Sequence, residues 1–158
     1  MIVTDLDSTL LTDDKRITDN SLRAMQKCQE QGIRVVFATA RPWRAVHPFL
    51  KDVACDAVIF HNGTTVQANG EILGSPYRIP VARVQEILAN IQRDFPNKKL
   101  SVEMNDTLYA NFPVATYWSY TDGITTDFSD LPAGKADKVI AEINSTDEFQ
   151  QIQRHLGE

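Results

Sequence analysis

Two carboxylates one residue apart, Asp5 and Asp7, follow the run Ile2-Val3-Thr4 at the start of a 158-residue chain. A short β-branched run reads as a buried strand, since such side chains fit a pleated surface covered on both faces. Side chains two apart on a strand point the same way, so the two carboxylates converge as the chain leaves the sheet. The carboxyl ends of buried strands are where open α/β sheets bind ligands. Taken alone, Asp7-Ser8-Thr9 would pass for a polar turn. The apolar strand before it and Thr9-Leu10-Leu11 after it favour a catalytic site built on the pair.

The elements that must hold such a site come next along the chain. Ile17-Thr18 opens a helix: Thr18 suits the N-cap, and Ile17 and Leu22 occupy the positions of a hydrophobic staple. Leu22, Met25 and Cys28 mark its apolar face, and Gly32 is placed to end it. Residues 33–38 are nearly all apolar, as a parallel strand buried on both sides should be. Strand, helix and strand form a βαβ unit with an expected right-handed crossover.

Thr39-Ala40-Arg41-Pro42 closes that second strand. Pro42 suits the first turn of a helix, which leaves Thr39 beside a helix N-terminus, a natural anion site. On the residues alone Thr39 is equally a helix-capping hydroxyl, and Arg41 either faces the site or solvates the helix start. The next helix is short, because Pro48 should kink or end it. Ala57-Val58-Ile59-Phe60 is a third buried strand, running into His61-Asn62-Gly63-Thr64.

From Thr64 the pattern changes. Residues 65–73 form a hairpin around Asn69-Gly70. Residues 81–94 read as an amphipathic helix with Val84, Ile87, Leu88 and Ile91 on one face, stopped by Pro96. Residues 100–104, 108–112 and 138–144 read as strands, and Ser145-Thr146-Asp147-Glu148 opens a helix with a capping-box pattern. Hairpins and helices mixed in this way read as an α+β module. Tyr109, Phe112, Tyr117, Trp118 and Tyr120 make an aromatic-rich patch that serves for packing in preference to stacking on a ligand.

A net charge of −5 argues against nucleic acid as a partner. With 42% hydrophobic and 23% charged residues the chain has a core and an ordinary soluble surface. No apolar run approaches a membrane span, and no signal peptide is evident, so the expected location is cytoplasmic, with no membrane partner. Cys28 and Cys55 are expected to be reduced and packed in the core. His47, His61 and His155 show no ligand spacing, which argues against zinc.

Asp5-Leu6-Asp7-Ser8-Thr9-Leu10-Leu11 resembles the first motif of the haloacid dehalogenase-like (HAD) phosphatases. The best match is the branch with an α/β cap, the Cof-type sugar-phosphate phosphatases. Thr39-Ala40-Arg41 resembles the second motif, and Asn62-Gly63 the pair that closes the third strand and leads into the cap. Ser8 and Ala40 each stand where a glycine is usual.

The resemblance implies an α/β fold with a HAD-like Rossmannoid core and an α+β cap. Residues 1–62 would supply the first three parallel strands of the core, and 63–158 an incomplete cap. It implies a magnesium-dependent phosphatase that hydrolyses a small phosphate ester, such as a sugar phosphate, through an aspartyl-phosphate. Asp5 would attack phosphorus; Asp7 would protonate the leaving oxygen and then deprotonate water. Leu6, Thr39, Ala40, Arg41 and Asn62 would line the phosphate and substrate. Mg²⁺ would be held by the Asp5 carboxylate and the Asp7 main-chain carbonyl.

The family also needs a helix-opening lysine after the cap and an acidic Gly-Asp-x-x-x-Asp-type motif. Lys135 and Lys138 are the only lysines late enough, and the stretch after Lys138 reads as a strand. The chain therefore resembles the N-terminal part of a longer phosphatase, impaired on its own and prone to self-associate or to pair with a C-terminal half. The alternative is a non-catalytic phosphate-binding or interaction protein derived from such an enzyme. A receiver-like phospho-acceptor is disfavoured, because Asp7 and Thr9 suit hydrolytic turnover.

Overall fold

The β-branched and apolar runs become three parallel strands: Ile2–Thr4 (β1), Val35–Ala38 (β2) and Ala57–Phe60 (β3). They belong to a computed structural model that describes residues 1–50, 53–74, 78–117 and 122–156. Register sets Thr4 beside Phe37, and Phe37 beside Val58, so the three strands finish close together, each reaching one residue further than the last. Between β1 and β2 runs the helix Asp19–Glu30 (α1). Its Thr18 hydroxyl accepts the Ser21 N–H at 3.2 Å, as an N-cap should.

Gly32 (φ +73°) ends α1 in a Schellman motif. Its N–H bonds the Gln29 carbonyl, and the Ile33 N–H bonds that of Cys28. Trp43–Leu50 (α2) follows β2 and carries Pro48 in its last turn. Leu6, Leu11, Val35, Phe37, Val46, Val58 and Phe60 form the core here, with Cys28 and Cys55 packed against it.

Two expectations change in this unit. The strand β1 is not buried: Ile2 is 41% and Val3 51% exposed, because β1 lies at the sheet edge, with β2 its one neighbour among the described residues. The boundary also moves. The hairpin Thr65–Ala68 (β4) and Glu71–Gly74 (β5) pairs antiparallel with β3, Phe60 opposite Thr65, and so extends the first sheet. The chain divides into Met1–Tyr77 and Arg78–Glu158, later than the break expected after Asn62. Asn69 (φ +52°) and Gly70 (φ +78°) both take the left-handed conformation that a tight hairpin turn requires.

The second unit is α+β. Its sheet has the order β11-β7-β8-β9, from Lys138–Ala141 (β11), Leu100–Met104 (β7), Thr107–Ala110 (β8) and Ile124–Thr125 (β9). A two-stranded ribbon pairs Ile79–Pro80 (β6) with Lys135–Ala136 (β10). The helix Val81–Asp94 (α3) buries Val84, Ile87, Leu88 and Ile91 against Leu100, Val102 and Met104. Thr146–Gln153 (α4) adds Ile152 to the same core. Tyr109 packs against this cluster and Phe112 against a smaller one on Leu108, Ala110 and Val114; Tyr117 is half exposed. Trp118 and Tyr120 lie outside the described residues. Among the described residues no helix is long and apolar enough to cross a membrane.

Candidate active site

Parallel strands that end near one another bring their following loops together. The loop after β1 carries Asp5 and Asp7, the loop after β2 carries Thr39 to Arg41, and the loop after β3 carries His61 and Asn62. Main-chain bonds join the last two: His61 N–H to the Arg41 carbonyl at 3.0 Å, and Asn62 N–H to the Thr39 carbonyl at 3.3 Å. Asn62 (φ +58°) tolerates the left-handed backbone this crossing demands, as asparagine does better than most residues.

Strand alternation is not what aims Asp5 and Asp7. The strand ends at Thr4, and residues 6–10 form one wide helical turn closed by the Leu11 N–H on the Leu6 carbonyl at 2.8 Å. Inside it Asp7 is extended and Ser8 is left-handed (φ +58°), while the Leu6 side chain is fully buried. Glycine has no Cβ to clash there, which is why it suits the position that Ser8 fills. Ala40 is not among the residues with positive φ, so alanine meets no such strain in the second motif.

The carboxylates differ sharply in their surroundings. Asp7 is clamped. The Arg41 Nε donates to Oδ2 at 2.6 Å and Nη2 to Oδ1 at 2.7 Å, while Lys15 Nζ donates to Oδ1 at 2.9 Å. The Arg41 hydrogen bonds, helped by Lys15, hold the Asp7 carboxyl well below the usual carboxylate range. Asp5 is exposed, and among the described residues its side chain makes no hydrogen bond or ion pair. Arg41 also feels the Asp5 charge.

Arg41 itself is well anchored: Nη1 donates to the Ala45 carbonyl at 3.3 Å and the guanidinium lies 5.1 Å from the Phe49 ring centre. Of the two roles the sequence left open for Arg41, the structure chooses the one facing the acidic pair. Thr39 is 7% exposed, and its hydroxyl accepts the Arg41 N–H at 3.2 Å.

Lys15 was not singled out by its sequence context. It sits at the tip of a hairpin in which Leu11 bridges Ile17 and the Thr12 N–H bonds the Arg16 carbonyl at 3.0 Å. Leu11 and Ile17 flanking a polar run is the one signal that marks this turn.

The oxygens expected to hold a metal are few. The Asp5 carboxylate and the Asp7 carbonyl are the hard oxygens that Mg²⁺ prefers. Among the described residues, however, no three His, Cys, Asp or Glu side chains gather around one point, and both Asp7 carboxylate oxygens are engaged by cations. Lys135 and Lys138 lie on strands of the second unit, and neither opens a helix.

A parallel α/β sheet whose strand ends gather an acidic pair, a buried threonine and a fixed guanidinium defines the class of this unit. The chain belongs to the haloacid dehalogenase-like hydrolases, whose family pattern matches residues 2–158. It is 34% identical over 114 residues to the Streptococcus pyogenes serotype M6 protein M6_Spy0533, a phosphatase by provisional name. That match covers 66% of this chain and 39% of the relative. It is 28% identical over 115 residues to the Bacillus subtilis 5-amino-6-(5-phospho-D-ribitylamino)uracil phosphatase YitU, covering 71% of this chain and 42% of that protein. The chain thus spans about two fifths of these relatives. The crystal structure of SMU.1108c from Streptococcus mutans UA159 shares the fold, with a TM-score of 0.80 at 18% identity. The likeness covers 99% of this chain and 61% of that one.

Proposed function

We propose that this chain carries the nucleophile-bearing part of a phosphomonoesterase that hydrolyses a small phosphate ester, a sugar phosphate first of all. The observation that carries the reading is the contrast between the two carboxylates. An exposed Asp5, unpaired among the described residues, is a nucleophile ready to attack, and Asp7 beside it is the group for proton transfer once its clamp opens.

Asp7, ionised while clamped, takes a proton from solvent once a cation contact opens. An Asp5 oxygen then attacks phosphorus, the ester P–O bond breaks, and the leaving alkoxide takes that proton from Asp7. Asp7 then removes a proton from water, which attacks the acyl phosphate and releases inorganic phosphate with Asp5 restored. The clamp constrains the first half of this cycle. Three hydrogen bonds leave Asp7 about one acceptor position, so a cation contact that lets go clears its approach to the leaving oxygen. Thr39 and the surrounding backbone hold the phosphoryl oxygens. Mg²⁺, held from this chain by the Asp5 carboxylate and the Asp7 carbonyl, would supply charge neutralisation that two carboxylates cannot give a phosphate dianion.

The phosphatase names of both relatives support the reaction, and the phosphorylated ribityl chain in one name supports a small polyol-type ester. The unpaired Cys28 and Cys55 suit the reducing cytoplasm. Release of phosphate from glucose 6-phosphate, with and without magnesium, tests the reading. The expected result is slow magnesium-dependent turnover that Asp5→Asn abolishes. A second reading, phosphate binding without catalysis, draws on the clamp that keeps both Asp7 oxygens occupied. It predicts saturable phosphate binding with no turnover.

A further inference from the structure

We propose that Lys15 is a leaving-group specificity residue: its ammonium passes from Asp7 to an oxygen of the leaving group as the ester docks. The inference rests on the phosphomonoesterase reading above and concerns which esters the site prefers. In that reading Asp7 must offer an oxygen to the ester oxygen, and three hydrogen bonds currently occupy its carboxylate.

Arg41 is the poorer candidate to yield. It holds both Asp7 oxygens, is anchored again on Ala45 and Phe49, and its side chain is 23% exposed. Lys15 makes one contact to Asp7, and its side chain is 54% exposed. It also borders a hollow of about 510 Å³ lined by Ile17, Leu22, Pro48 and Phe49, away from Asp5 and Thr39, so its stem is not packed in on that side. The ammonium that yields lies one carboxylate away from the ester oxygen. The first new acceptor it can reach is an oxygen on the leaving group.

The backbone adds a second, independent observation. The Lys15 N–H bonds the Thr12 carbonyl at 2.9 Å, and Lys15 has φ +60°, the left-handed position that follows a tight turn in a three-residue hairpin loop. Glycine or asparagine fits that position with less strain. A lysine held there, with its ammonium delivered to the acidic pair, is an arrangement that hairpin stability alone does not favour. The chemistry selected is an ester whose leaving group carries a hydroxyl or oxyanion near the ester oxygen, such as a polyol or sugar, over an aryl group that offers none.

The test is equilibrium binding by NMR titration of the chain with glucose 6-phosphate and with p-nitrophenyl phosphate, two monoesters of the same charge. An Asp5→Asn background with magnesium prevents turnover. Glucose 6-phosphate should bind more tightly than the aryl ester in the background protein. Lys15→Gly should reduce the ratio of the two affinities about ten-fold, the size of one charged hydrogen bond, because only the sugar ester replaces the Asp7 contact that both esters break. The same variant should melt at a higher temperature because the left-handed strain is gone, and Lys15→Arg should restore the preference. A ratio unchanged by Lys15→Gly, or binding of neither ester by the background protein, overturns the assignment. Hydrolysis is not read here, so absent turnover counts against the proposed phosphatase and not against Lys15.

Discussion

Arg41 grips Asp7 along a full edge of its guanidinium, Nε 2.6 Å from Oδ2 and Nη2 2.7 Å from Oδ1. A planar fork matches a carboxylate in a way that a lysine ammonium cannot. Arg41→Lys should therefore let the Asp7 carboxyl rise toward its ordinary value of 3.8. A ¹³C-detected pH titration of the Asp7 carboxylate reads this directly: the wild type stays ionised through the usual carboxylate range, and the variant titrates within it. The effect on stability has a definite sign. A depressed carboxyl stabilises the fold above its unfolded pKa, and that contribution is lost as pH falls through the folded value. An Arg41→Lys titration indistinguishable from wild type would mean that Lys15 or the backbone sets the Asp7 charge.

Ser8 supplies a stability prediction. Its φ of +58° costs an L-residue about 1 kcal/mol that glycine does not lose. Ser8→Gly should stabilise the first unit by roughly 0.5–1 kcal/mol, and Ser8→Val should destabilise it by more. Urea unfolding followed by Trp43 fluorescence measures both. A Ser8→Gly variant less stable than wild type would show that the serine hydroxyl does more than occupy the turn.

Much of this architecture was legible. The Thr18 cap, the Gly32 stop, the Asn69-Gly70 turn and the apolar stripe of α3 each rest on local rules, and each stands where those rules put it. What failed depended on neighbours. Ile2 and Val3 look like buried strand residues, but burial needs a strand on either side, and among the described residues β1 has one. The 65–74 hairpin marks a change from parallel to antiparallel pairing; its period is the same whichever sheet it joins, so the sequence placed the domain break too early. Arg41 and Lys15 reach Asp7 from 34 and 8 residues away, and side-chain contacts across such gaps leave no periodic trace.

In the second unit, Glu148 closes the start of α4. Its own N–H donates to the Ser145 hydroxyl, its Oε2 accepts the Asn144 N–H at 2.7 Å, and Oε1 pairs with the buried Lys98. The Lys98 contact, then the Asn144 N–H, depress its carboxyl below 4.5. Glu148→Gln should therefore destabilise this unit at neutral pH. The gap from wild type should close as the pH falls below the ordinary glutamate range, where both proteins have lost the charge. A gap that stays constant in urea melts at neutral and strongly acidic pH would contradict the role given to the ion pair.

The β1 edge makes a prediction about assembly. Ile2 and Val3 are exposed on a strand with one neighbour among the described residues, and such an edge is a template for another chain. The chain should self-associate in the micromolar range through this edge, and Val3→Lys should shift it toward monomer. Sedimentation velocity decides. A wild-type protein that sediments as a sharp monomer would show that the edge is not sticky.

The central claim is that Asp5 is the group that takes up phosphorus. Incubating the chain with magnesium and acetyl phosphate, quenching in acid and mapping the product by peptide mass spectrometry tests it most directly. The account predicts an acid-stable, hydroxylamine-labile phosphoryl group on the peptide containing Asp5, lost in Asp5→Asn and retained in Asp7→Asn. Phosphoryl transfer that survives Asp5→Asn, or that maps to Asp7 or to any other residue, would contradict it.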